Sequence, residues 1–136
     1  MQSEKLIRTF IDEAFNKGNL SILEEIIHPD YQYLSPDSQL EGIGQLRNFI
    51  QAFRNAFPDL NLKVDDIFSS NDRACAAFTL KGTHKQDFMG IPATGKSVEV
   101  QGMVISRIKD SKILEDREII DNLTFFQQLG VVAEMS

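Results

Sequence analysis

Hydrophobic and polar positions follow two different periods along this chain, and the change falls near residue 60. In the first half the period is helical. Leu6, Ile7, Phe10, Ile11, Ala14 and Phe15 recur three and four apart, which predicts an amphipathic helix over residues 3–19, with Ser3 capping its start and Gly18 ending it. A shorter helix is predicted over residues 20–30, closed at His28-Pro29 because proline disfavours helix in the residue before it. Tyr31 to Leu34 read as a short strand before the turn Ser35-Pro36-Asp37. Ile43, Leu46, Phe49, Ile50, Phe53 and Phe57 form the stripe of a third helix, stopped by Pro58.

In the second half the period becomes two. Residues 60–68 alternate, residues 69–72 (SSND) read as a turn, and residues 73–84 as a strand. Residues 96–108 give the clearest strand. Val98, Val100, Val104 and Ile108 share one face with Gly102 and Ser106; Glu99, Gln101 and Arg107 share the other with Met103 and Ile105. A turn at residues 109–112 leads to a last strand over 113–120. A terminal helix follows, with Asp121 as its cap and Gly130 as its stop. Helices first and antiparallel strands after predict an α+β fold, one domain over residues 1–136, with helices on one face of a sheet.

Between two strands lies the loop GTHKQDFMGIPATGK, residues 82–96. It mixes turn residues with Phe88, Met89 and Ile91. Such apolar residues in a loop predict packing over the rim of a cavity, with Gly82, Gly90 and Gly95 permitting the tight path.

Composition narrows the function. The net charge is −6 and the pI about 4.8, so no basic patch exists to displace counterions from nucleic acid or an anionic membrane. Cys75 is the sole cysteine, which fits a reducing cytoplasm and a buried, inert thiol. The N-terminal residues show no apolar leader core, and no apolar run is long enough to span a bilayer. Tryptophan is absent and phenylalanine numbers 10, so Phe must supply the large apolar surfaces, Phe53, Phe57 and Phe78 being candidates to line a pocket. Tyr33 and His84 are candidate polar groups at such a pocket. The two histidines are too far apart, and too unsupported by cysteines, to suggest a metal site. No phosphate-cradling glycine loop and no nucleophile elbow occurs.

Three stretches, the loop at 82–96, VEVQGMVISRIKDSKILED and DNLTFFQQLGV, together with the element order, resemble the nuclear transport factor 2-like superfamily and, within it, the SnoaL-like polyketide cyclases. The resemblance implies a cone-shaped half-barrel whose curved antiparallel sheet and three helices enclose an apolar cavity. It implies pairing of two copies through their sheets. It also implies ring closure by intramolecular aldol chemistry on an apolar, carbonyl-bearing small molecule, without metal or organic cofactor. The family's key carboxylate lies three residues before the helix cap, which here is Glu118. The family's histidine lies fourteen residues earlier still, where this chain has Val104. Valine cannot move a proton, so the resemblance also admits a non-catalytic binding or dimerising module, or an isomerase or dehydratase of the same fold.

Whether Glu118 faces inward depends on the preceding turn. A loop centred on Ser111 sets it across from Val104; a two-residue turn at Asp110-Ser111 sets Arg117 there instead. Directly opposed residues share a sheet face.

Overall fold

The computed structural model describes residues 2–132 and organises them on one six-stranded sheet. Its strands are β1 (Ile27–Leu34), β2 (Gln39–Glu41), β3 (Asn61–Ser70), β4 (Arg73–Thr83), β5 (Ser97–Lys109) and β6 (Lys112–Ile120). They lie in the order β2-β1-β6-β5-β4-β3, and the sheet curves without closing. The helices are α1 (Gln2–Thr9), α2 (Leu23–Ile26), α3 (Gly42–Ala56) and α4 (Asn122–Leu129), so four helices rather than three accompany the sheet among the described residues. The fold is α+β, as the periodicity predicts. The sheet is mixed, because β1 runs parallel to β6 while every other pairing is antiparallel. A parallel neighbour could not be read from a local pattern, since β1 and β6 are separated by most of the chain.

The core lies between the helices and the concave face of the sheet. Ala74, Ala76, Phe78 and Leu80 of β4 and Val98, Val100 and Val104 of β5 point into it, as the period of two requires. Ile7, Leu23, Ile27, Leu46, Ile50 and Ile113 are sealed against them.

The first helix departs from the expected α geometry. From Phe10 to Asn16 the coil widens into a π-helix, and the Lys17 N–H donates to the Asp12 carbonyl five residues back at 3.0 Å. Five-residue spacing sets Phe10 and Phe15 one above the other, where their rings meet edge to face at 5.4 Å. Arg54 closes this end by donating to the carbonyls of Phe15 and Asn16. The chain then turns at Gly18, whose φ is +72° and whose missing Cβ would sit 2.6 Å from Arg54 Nε. Asn16 ties the turn to the sheet, donating to the Leu62 carbonyl and accepting from the Leu62 N–H at 2.9 and 2.7 Å.

His28 and Pro29 do not close a helix. The helix ends at Ile26, and both residues lie within β1. Proline cannot donate to a ladder, and the pairing of β1 with β6 is interrupted between Ile27 and Gln32. There the Asp30 N–H turns to His28 Nδ1 at 3.0 Å. At the other end of the chain, Asp121 caps α4 through the Thr124 N–H at 3.1 Å and Gly130 ends it at φ +82°, both as expected.

The loop after β4 answers its sequence only in part. Phe88 and Ile91 exchange backbone hydrogen bonds across a two-residue turn at Met89-Gly90, both with positive φ. Phe88 is buried, but Ile91 is half-buried and Met89 is 72% exposed, so the three do not form a common lid. Phe88 instead fills an aromatic cluster, with ring centroids 4.8 Å from Phe53, 5.5 Å from Phe57 and 6.0 Å from Phe125. Phe88→Ala is therefore expected to cost about 3 kcal/mol of stability by denaturant unfolding. Met89→Ala should stay within about 0.5 kcal/mol of the parent.

Candidate active site

The register of β6 decides which of its charges enter the fold. Lys109 pairs with Lys112 across the two-residue turn at Asp110-Ser111, whose φ values are +54° and +62°. That turn alone would set Arg117 opposite Val104. A bulge intervenes: Ile108 pairs with Ile113 but Arg107 pairs with Glu115, leaving Leu114 as an extra residue. Beyond it Ser106 faces Asp116 and Val104 faces Glu118. Opposed residues share a face, so both carboxyls turn inward with the buried valines, and Arg117 turns outward to pair with Glu115 at 3.3 Å.

These side chains line a narrow cavity of about 40 Å³, room for about three water molecules. One wall is helical: Ile7, Phe10, Ile11 and Phe15, with Leu46 and Phe49 of α3. Leu62, Phe78 and Val104 continue the apolar lining. The polar wall consists of Tyr31, Tyr33, Ser106, Asp116 and Glu118, with no Lys, Arg or His among the lining residues. Tyr33 donates its hydroxyl to Glu118 Oε1 at 2.6 Å. Tyr31 donates to Asp116 Oδ2 at 2.7 Å and Ser106 to Asp116 Oδ1 at 2.5 Å.

Electrostatics follow from this enclosure. Burial pushes Glu118 up to about 7; the Tyr33 hydrogen bond pulls the other way, and the charge of Asp116 adds to the rise. Burial raises Asp116 to about 6 against the hydrogen bonds of Ser106 and Tyr31. Both phenols are held well above their ordinary range, first by burial and then by the carboxylate each one meets. A carboxyl that titrates near neutrality can take a proton and return it.

Of the residues singled out from the sequence, Tyr33, Phe78, Val104 and Glu118 come together at the cavity. Phe53, Phe57 and His84 do not line it. Phe53 points from α3 into the aromatic cluster, and Phe57, just past the helix end, stacks on His84 at 5.3 Å. His84 is fully buried, and its Nδ1 accepts from the Thr94 N–H at 3.2 Å. The ring proton therefore sits on Nε2, which has no hydrogen-bond partner among the described residues. His84 anchors the loop after β4 and stands away from the polar wall. Asp116 escaped the sequence reading. Its signal was the period of two, since a carboxyl two residues from an inward Glu118 must share its face. Among the described residues no group of three His, Cys, Asp or Glu side chains converges to hold a metal ion.

Comparison with known proteins now fits this geometry. The family model for SnoaL-like polyketide cyclases matches residues 5–129. The chain belongs to the SnoaL-like polyketide cyclase family. It is 28% identical over 131 residues to the aklanonic acid methyl ester cyclase DnrD of Streptomyces peucetius, covering 92% of this chain and 88% of that protein. It is 29% identical over 124 residues to the nogalonic acid methyl ester cyclase of Streptomyces nogalater, covering 86% and 90%. Among solved structures, TsrD from Streptomyces laurentii superposes with a TM-score of 0.87 at 29% identity over 96% of both chains. IdmH from Streptomyces antibioticus superposes at 0.82 with 32% identity, covering 96% of this chain and 100% of that one.

In this SnoaL-like chain the two inward carboxyls bind protons more tightly folded than unfolded. Their stabilising contribution is complete below their ordinary values of 3.8 and 4.5, and it is lost as pH rises through about 6 for Asp116 and about 7 for Glu118. Glu118→Gln should remove the upper part of that loss. Relative to the parent, the variant is expected to gain stability between pH 5 and pH 8, read as the difference in urea midpoints at the two pH values.

Proposed function

We propose that this protein is a cyclase-type acid/base enzyme acting on an apolar, carbonyl-bearing small molecule. One observation carries the reading: a carboxyl at the family's catalytic position, Glu118, stands half-buried against apolar walls, hydrogen-bonded to one phenol and raised to about 7. Glu118 takes a proton from carbon beside a carbonyl, and the C–H electron pair passes into an enolate. The enolate carbon attacks a second carbonyl of the same molecule and closes the ring. The resulting alkoxide recovers the proton from Glu118. Tyr33 occupies Oε1, so the other carboxyl oxygen meets the substrate. The chemistry needs no cofactor.

With acidic and no basic residues in the lining, the cavity favours a neutral substrate over a carboxylate. The named relatives are cyclases of methyl esters. At about 40 Å³ the cavity is smaller than any multi-ring substrate. Phe15 and Phe49 are the half-buried rings of its helical wall. The rival reading, a non-catalytic binding or dimerising module, draws its support from Val104. An isomerase or dehydratase would use the same pocket on another substrate.

Polyketide-like esters and ketones should be screened for turnover with the parent and with Glu118→Gln. The variant is expected to bind ligand unchanged by calorimetry and to lose at least about 100-fold in kcat. Binding without turnover by the parent would favour the rival.

The convex face of the sheet suits the pairing of two copies. Phe68, Met103, Ile105 and Ile119 are 49–68% exposed there, and Met103 pairs directly with Ile119. No described helix is long and apolar enough to cross a membrane, and a charge of −6 disfavours nucleic acid. Ile119→Glu is expected to give a monomer by size-exclusion chromatography with light scattering; an unchanged mass would remove this face from consideration.

A further inference from the structure

The cavity contains a second carboxyl that the ring-closing step does not use. Asp116 is 4% exposed, and each of its oxygens receives one hydroxyl, from Ser106 at 2.5 Å and from Tyr31 at 2.7 Å. Both lengths are those of hydroxyls donating to an ionised carboxylate. No cation pairs with it among the described residues. Groups facing Asp116 and Glu118 are few. From β1 come Tyr31 and Tyr33; from β5, Ser106 and Val104; from the helical wall only apolar side chains. Glu115, adjacent on β6, is turned the other way with Arg117. Asp116 and Glu118, two residues apart on one face, thus lie with their Cα atoms about 6.6 Å apart along the polar wall.

We propose that Asp116 is a positioning residue for Glu118: an anion clamped by Ser106 and Tyr31 whose charge makes Glu118 a stronger base toward carbon-bound protons. A negative neighbour disfavours a second negative charge, so Glu118 holds a captured proton more firmly. Burying a carboxylate with no cation is costly, and the two hydroxyl donors offset that cost only while they remain in place. In this chain, where Val104 stands across from Glu118, the assistance comes from the next cross-strand pair, Ser106 and Asp116. The catalytic part of this proposal rests on the acid/base reading of Glu118.

The test is the carboxyl-carbon NMR titration of Glu118 in the parent, Asp116→Asn, Ser106→Ala and Tyr31→Phe. In Asp116→Asn the Glu118 midpoint is expected to fall by about one pH unit, a tenfold change in protonation. The acid limb of the kcat–pH profile should fall with it. Ser106→Ala and Tyr31→Phe each remove one donor from the anion, so Asp116 stays neutral to higher pH. Glu118 should then shift in the same direction by less. These two variants keep the test open if Asp116→Asn fails to fold. A Glu118 midpoint unmoved in the folded variants overturns the proposal, while loss of turnover in Glu118→Gln would still uphold the role of Glu118. Turnover that survives Glu118→Gln overturns both, whatever the titration.

Discussion

One extra residue in β6 governs the chemistry of the interior. The hairpin from β5 to β6 turns in two residues, and continued without interruption that register would carry Arg117 into the core and expel Asp116 and Glu118. The bulge at Leu114 shifts the pairing by one, and because side chains alternate, a shift of one exchanges the two faces of the strand. Everything distinctive about the cavity follows. Its polar wall is acidic, its phenols have carboxylates to meet, and the one arginine of β6 is left outside with Glu115.

Much of the architecture was legible in the residues. The helical stripes, the strands of the second half, the cap at Asp121 and the stop at Gly130 are local patterns with local causes, and they hold. The parts that escaped depend on contacts distant in sequence. Pro29 reads as a helix stop, yet the bulged pairing of β1 with β6 accommodates it as strand. The π-helical turn hides behind spacing that suits an α-helix equally well. Phe53 and Phe57 sit on an apolar stripe, but periodicity says only that a face is buried, not whether it borders a void or a packed cluster. The inward turn of Glu118 was undecidable from a strand with mixed faces, and Asp116 was invisible until that was settled.

The interior is arranged as two cross-strand layers of different character. Val104 and Glu118 form one, with Tyr33 supplying a hydroxyl; Ser106 and Asp116 form the next, with Tyr31 supplying another. The tyrosines come from the same strand, two residues apart, and meet carboxyls also two residues apart, so matched alternation on parallel strands builds both pairs at once. Such groups are costly to bury, and here burial lifts both carboxyls toward neutrality, with the charge of Asp116 adding to the rise of Glu118. The fold gives up stability at neutral pH in return for carboxyls able to exchange protons there.

The parallel contact of β1 with β6 has a consequence for how the chain reaches this state. Tyr31 and Asp116 are 85 positions apart, as are Tyr33 and Glu118, so each pair closes a loop spanning most of the protein. Hairpins such as β4–β5 and β5–β6 assemble from neighbours, whereas the polar wall must wait for the first strand to find the last. On a ribosome β1 emerges long before its partner exists, and its inward tyrosines have no carboxyl to meet until β6 is made. These two hydroxyl–carboxyl contacts therefore have among the longest sequence separations in the fold, and contacts of that kind carry the largest loop-closure cost.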